Sequence, residues 1–139
     1  GNSMGEKKVV VDTNVFISAF GWDGTPEKVL ELLHKEGYVI YLSENQLVEI
    51  QRVINYTRLN LSEGEKIVFL KELLSSVLLV KIKVILDIIK EDPDDNIIIS
   101  TAIENDCDYL ITGDNHLLQL KQYGKIIILT PVQFLNLNP

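Results

Sequence analysis

What the chain lacks removes several function classes at the outset. One cysteine, Cys107, among 139 residues cannot form an internal disulfide and suits a reducing compartment. It stands just before an apolar run and reads as a small core residue. No stretch reaches the ~18 uncharged apolar residues of a membrane span. The longest candidates, Val77 to Ile82 and Ile126 to Leu129, have strand length. No charged segment followed by an apolar one opens the chain, so export is not expected and a cytoplasmic location is. The only histidines, His34 and His116, read as surface residues, and with a lone cysteine they offer no zinc spacing. There is no Ser-His-Asp order, glycine-rich phosphate loop, repeat or Pro/Gly-rich linker.

Basic charge is also scarce. Lys and Arg number 13 against 20 Asp and Glu, a net charge of -7, and Arg52 and Arg58 are the only arginines. Backbone phosphates normally meet Lys and Arg, so an acidic domain is poorly suited to being a simple DNA- or RNA-binding module. The same balance is compatible with an enzyme whose acidic site is neutralised by a cation, because the ion is then the largest local charge.

What is present is one domain's worth of alternating segments. A chain of this length buries roughly 70% of its unfolded surface and folds without staples. Gly1-Asn2-Ser3 before Met4 reads as an expression remnant, residues 1–7 as a disordered leader, and 8–139 as a single domain. Val9-Val10-Val11 is a β-branched run, followed by a helical stretch from Thr13 to about Phe20 and turn chemistry at Gly21-Trp22-Asp23-Gly24. Thr25-Pro26 reads as an N-cap with proline at the first helical position, opening a helix through His34. Tyr38 to Leu42 is strand-like, and Ser43 caps a helix to about Tyr56 with Leu47, Ile50, Val53 and Ile54 on one face. Ser62 and Glu65 form a capping-box pattern for a helix to about Ser76, and Leu78 to Val84 reads as a strand. Asp92-Pro93 opens a helix to about Ile103, Tyr109 to Thr112 is a strand, Asn115 to Leu120 a short helix, and Ile126 to Leu129 the last strand. Strands alternating with helices and lacking tight hairpins predict a three-layer α/β/α sandwich with a mainly parallel sheet of about five strands. Ligands in such sheets bind beyond the carboxyl ends of the strands.

Acidic residues stand at those ends. Asp12 follows the first strand, where a helix N-cap worth about 1 kcal/mol would account for it. Asp114 has the same setting before the short helix. Around Pro93, Asp92 reads as N-cap, and Asp94 and Asp95 suit the positive end of the helix dipole. Yet Asp95 is in register with Ile98, Ile99 and Ala102, whereas Asp94 is turned about 100° away. A carboxylate on a core stripe needs a partner, a metal or a proton, which favours Asp95 as the functional member. Glu49 sits at the border of the apolar arc of its helix, where a solvated or paired glutamate is the ordinary case. Converging carboxylates raise one another's pKa, and a hard cation such as Mg²⁺ or Mn²⁺ relieves the conflict. Metal-assisted hydrolysis is the reaction class left standing.

The segment Val9-Val10-Val11-Asp12-Thr13-Asn14-Val15-Phe16-Ile17-Ser18-Ala19 resembles the opening of PIN-domain nucleases. Ser43 to Ile50 with its internal Glu49, Asp92-Pro93-Asp94-Asp95-Asn96 followed by Ala102, and Leu110-Ile111-Thr112-Gly113-Asp114 resemble the later acidic motifs. Ile128-Leu129-Thr130-Pro131 with Phe134-Leu135 resembles the closing strand and tail, so the likeness runs from Lys8 to Leu135. It is nearest to the prokaryotic subgroup described as toxins of toxin–antitoxin pairs. The resemblance implies a PIN-like sheet and an Mg²⁺- or Mn²⁺-dependent ribonuclease, with metal-activated water attacking an RNA phosphodiester. It implies Asp12, Glu49, Asp95 and Asp114 as the acidic quartet, Asp12, Asp95 and Asp114 as metal ligands, and Asn14, Ser18, Thr112 and Asp94 in support. It further implies a homodimer and inhibition by an antitoxin protein. The sequence departs from the pattern at Asn115-His116, where relatives often carry another acid, so a second metal would be weakly held or absent.

Two competing readings make different demands. A receiver-like phosphoacceptor domain expects adjacent acids after the first strand and a lysine ending the last one, whereas Asp12 stands alone and Lys125 begins its strand. A catalytically silent PIN-like module that only binds a partner would not need the quartet that this chain retains. Trp22, in a Gly-flanked loop, is a candidate base-stacking residue, although such a residue ordinarily covers a core edge.

Overall fold

The computed structural model describes residues 6–21 and 24–137. Trp22 and the expected remnant Gly1-Asn2-Ser3 lie outside the described residues. Lys7, which the sequence assigns to a leader, is already tied to the sheet: its carbonyl accepts from the Val39 amide at 2.8 Å.

The β-branched and aliphatic runs form β1 (Lys8–Val11), β2 (Val39–Ser43), β3 (Leu78–Val80), β4 (Tyr109–Ile111), β5 (Gln122–Tyr123) and β6 (Ile126–Leu129). They make one six-stranded sheet in the order β3-β2-β1-β4-β6-β5, parallel except for the β5–β6 pair. The helices are α1 (Thr13–Gly21), α2 (Thr25–Lys35), α3 (Glu44–Val53), α4 (Glu63–Ser76), α5 (Pro93–Glu104), α6 (Asn115–Leu118) and α7 (Pro131–Leu137). Strand side chains alternate between faces. Val9, Val11, Ile40, Leu42 and Ile111 point to one side, where α1 to α4 and α7 bury Phe16, Leu33, Ile50, Phe69 and Phe134. Val10, Tyr41, Leu110, Ile126 and Ile128 point to the other, where α5 and α6 bury Ile98, Ile99, Ala102 and Leu117. Cys107 is fully buried in this second layer. The three-layer α/β/α arrangement is therefore as the alternation of segments predicts.

Three elements differ from the expectation. A hairpin does exist: β5 returns antiparallel on β6 through a turn in which Gly124 has φ +58°, a conformation glycine adopts without steric cost. Helix α2 begins one residue early, with Gly24 rather than Thr25 as its cap. The strand expected from Leu78 to Val84 stops at Val80, and the chain beyond it is held by side chains of α5 instead of by a neighbouring strand. Glu104 accepts from the Lys83 amide at 2.9 Å, Ser100 Oγ from Leu86 at 2.8 Å, and Asn96 Oδ1 from Ile88 at 2.9 Å and Ile89 at 2.7 Å. Asn96 Nδ2 also donates to the Ile89 carbonyl at 2.7 Å. Residues 96, 100 and 104 are spaced by four and share one helix face, so α5 presents a polar row to this segment.

Candidate active site

The chain runs from β1 to β2 to β3 on one side, then returns to set β4 on the other side of β1. Helices α1 to α4 cover one face and α5 the other. Thus β1 and β4 meet where connections diverge to opposite faces, the place where such sheets bind ligands beyond the strands' carboxyl ends. Asp12 is the residue after β1, and its amide continues the ladder to the Ile111 carbonyl at 2.9 Å. Asp114 follows β4 by three residues, Glu49 stands in the helix that leaves β2, and Asp95 in the first turn of α5.

Local hydrogen bonding separates caps from unspent carboxylates. Asp92 caps α5 by accepting from the Asp94 amide at 3.0 Å, and Asp114 Oδ1 caps α6 by accepting from His116 at 2.8 Å. Asp12 is not a cap of this kind. Its Oδ1 accepts from the adjacent Thr13 amide at 2.7 Å, and its Oδ2 from the Thr112 hydroxyl at 2.6 Å. The same Thr112 oxygen accepts from the Asp114 amide at 2.9 Å, so one hydroxyl ties both strand-end acids together. Burial raises the Asp12 pKa above the usual carboxylate range, against the lowering effect of Thr112 and Thr13.

The remaining acids complete the cluster. The Asp95 side chain is 6% exposed, and burial, followed by the fields of Asp114, Asp92, Asp12 and Glu49, pushes its pKa up to about 7. Burial also pushes Glu49 up to about 7, with Asp94 adding to the rise and the Thr13 hydroxyl, which donates to Glu49 Oε1, opposing it. Asp94 itself is half exposed and lies 3.4 Å from Arg52. Asp95 Oδ2 is buried without a hydrogen-bond partner among the described residues, and so is Nδ1 of His116. A buried carboxylate oxygen in that state calls for a proton or a cation. Ligand atoms of Asp95, Asp114 and His116 all lie within 4.8 Å of one another. An oxygen-rich set with an orphaned member fits a divalent cation.

Of the residues singled out from sequence, Asp12, Asp114 and Thr112 share one hydrogen-bond relay, Asp95 faces Asp114, and Glu49 neighbours Asp94. Asn14 is exposed and Ser18 partly so, and neither bonds to the quartet among the described residues, whereas Thr13 donates to Glu49 and is itself approached by Gln46. Gln46 Nε2 donates to the Val11 carbonyl at 2.8 Å and lies 3.4 Å from Thr13 Oγ1. Its signal was present in the sequence, since it is a polar residue in register with Ile50 and Val53. His116 is the larger omission. Read as a surface residue, it keeps an exposed ring edge but turns Nδ1 inward, 3.5 Å from Asp114 and 3.8 Å from Asp95.

A family model described as the PIN domain matches residues 8–116. The chain is 35% identical over 123 residues to an uncharacterised protein of Methanocaldococcus jannaschii, covering 86% of this chain and 79% of that one. Its fold is similar to a chain in the crystal structure of VapBC2 from Rickettsia felis bound to a DNA fragment from its promoter. There the TM-score is 0.64 at 20% identity, over 88% of this chain and 98% of that one. It is also similar to PAE2754 from Pyrobaculum aerophilum, with a TM-score of 0.60 at 17% identity, over 96% and 89% of the two chains.

Proposed function

The chain belongs to the PIN-domain family, and from that premise we propose that it is a divalent-metal-dependent endoribonuclease, the toxin of a toxin–antitoxin pair. The observation that carries the reading is the buried, unpartnered Asp95 Oδ2 facing Asp114 beside the Thr112-linked Asp12. Asp12, Asp95 and Asp114 would hold Mg²⁺ or Mn²⁺, which supplies Lewis acidity toward a phosphodiester and a water of lowered pKa. Glu49, whose carboxyl pKa is raised by burial in the cation-free chain, stands beside these ligands as the group for proton exchange. Thr112 and Thr13 orient the Asp12 and Glu49 carboxylates, and Asp94 keeps the Glu49 proton in place.

RNA as substrate and a cytoplasmic setting rest on the motif resemblance and on the reduced lone cysteine. The likeness to VapBC2 of Rickettsia felis supports an antitoxin partner. Two arginines give one chain few phosphate contacts, which supports a homodimer that assembles them from two. No described helix is long and apolar enough to cross a membrane.

The test is cleavage of a mixed RNA pool with Mn²⁺ or Mg²⁺, with chelator, and with Asp12→Ala. Cleavage is expected to fall to background under both treatments. Activity that survives chelator and substitution alike would overturn the metallonuclease reading.

A further inference from the structure

The histidine beside the acidic cluster changes what the cluster should bind. His116 Nδ1 is buried without a hydrogen-bond partner among the described residues, although its ring edge remains exposed. Two carboxylate oxygens lie near it, Asp114 Oδ1 at 3.5 Å and Asp95 Oδ2 at 3.8 Å, and neither makes a hydrogen bond with it. Two donors on one small cation, each about 2.1 Å from it, are about 3.0 Å apart when adjacent and about 4.2 Å apart when opposite. The two separations from His116 Nδ1 lie inside that interval, and the three ligand atoms all lie within 4.8 Å of one another. Asp114 Oδ1 accepts the amide of His116 itself, so the cap that starts α6 also fixes where the imidazole can reach. Two orphaned polar atoms, one on the floor of α5 and one on α6, therefore face the same small volume.

We propose that His116 Nδ1 joins Asp95 and Asp114 as a ligand of a single cation, giving a mixed nitrogen–oxygen site that selects transition-metal divalents over Mg²⁺. Mg²⁺ is a hard ion that takes oxygen donors and retains its waters, and gains little from an imidazole. Imidazole affinity instead rises along Mn²⁺, Co²⁺ and Ni²⁺. The inference rests on the metallonuclease reading for the existence of a metal site, and goes beyond it in assigning a ligand and a preference.

Pulsed EPR of stoichiometric Mn²⁺ on the full chain, with ¹⁵N-histidine labelling, reads the ligand directly, and competitive titration gives the Mn²⁺/Mg²⁺ affinity ratio. The wild type is expected to show histidine nitrogen coupling that His116→Ala and His116→Asn both abolish. In those variants the Mn²⁺/Mg²⁺ ratio should drop by at least roughly tenfold, the lower end of what even an outer partner of a metal ligand contributes. Circular dichroism confirms that the two variants are folded. Mn²⁺ bound in an Asp95-dependent way, but with no nitrogen coupling and an unchanged ratio, would overturn the His116 assignment and leave the metallonuclease reading standing. Absence of Asp95-dependent Mn²⁺ binding in the wild type would overturn both.

Discussion

Thr112 holds two acids with one atom. Its hydroxyl donates to Asp12 Oδ2 and its oxygen accepts from the Asp114 amide, which no aliphatic side chain can do. Thr112→Val keeps the shape and leaves both partners unmatched in a buried setting. It should cost about 1–3 kcal/mol in urea denaturation, with Thr112→Ser recovering most of the loss. On the proposed function, in which Asp12 and Asp114 hold a cation, RNA cleavage should fall on the order of 10- to 100-fold, as for an outer partner of a metal ligand. At this scale the sequence was legible wherever side-chain direction follows from helical phase. The register with Ile98, Ile99 and Ala102 distinguishes buried Asp95 from half-exposed Asp94. It was not legible where direction depends on a tertiary neighbour. His116 lies on a four-residue helix with no stripe to read, and only the arrival of α5 shows that its Nδ1 faces Asp95.

Helix α5 acts through its first turn and through its polar row. Its first turn supplies Asp94 and Asp95, while Asn96, Ser100 and Glu104 hold residues 83–89 by their backbone. Asn96→Ala removes three bonds to Ile88 and Ile89 at once. Amide hydrogen exchange should show Ile88 and Ile89 losing protection together, with Lys83 and Leu86 less affected, and global stability falling by about 1–3 kcal/mol. Helix starts capped by a side chain were legible, because such capping is local: Ser43 accepts from Gln46, Ser62 and Glu65 close a capping box, and Asp92 accepts from Asp94, whereas α2 starts on Gly24 with no side-chain cap. Strand ends were not. Nothing within Leu78 to Val84 announces that its ladder partner ends at Ser43, the last residue of β2 paired to β3. The hairpin escaped notice because two residues, Gln122 and Tyr123, are too few to carry an alternating pattern.

For the whole molecule, the gathered acids make the cation-free fold sensitive to pH. Asp95 and Glu49 titrate at about 7 in the folded chain, against about 4 for free carboxyls. The folded state therefore binds these protons more tightly than the unfolded state does. The stability they contribute is fully present below about pH 4 and is lost as pH rises through about 7. In chelator, urea midpoints should decline from about pH 5 to pH 8, and Asp95→Asn should flatten the decline. On the proposed metal site, saturating Mn²⁺ should reverse it, because a bound cation stabilises the ionised carboxylates. A decline unchanged by Asp95→Asn would show that this carboxyl does not set the pH response. The architecture itself was legible from the alternation of segments. The meeting of Asp12 and Asp114 follows from strand order, which brings β1 beside β4 and joins their acids across Thr112, while α3 and α5 bring Glu49 and Asp95.

The segment from Lys83 to Ile89 has one further consequence. Its partners on α5 bind main-chain groups rather than side chains, so apart from Ile88 and Ile89, which pack on the core, they are indifferent to which residues it carries. Its spelling is free while its length is fixed, because one inserted residue would misalign every donor with the row that receives it. Over evolutionary time this stretch should diverge by substitution and resist insertion. The exposed Val84 and Ile85 are thus positions where the surface can be rewritten without disturbing the acids at the other end of the same helix.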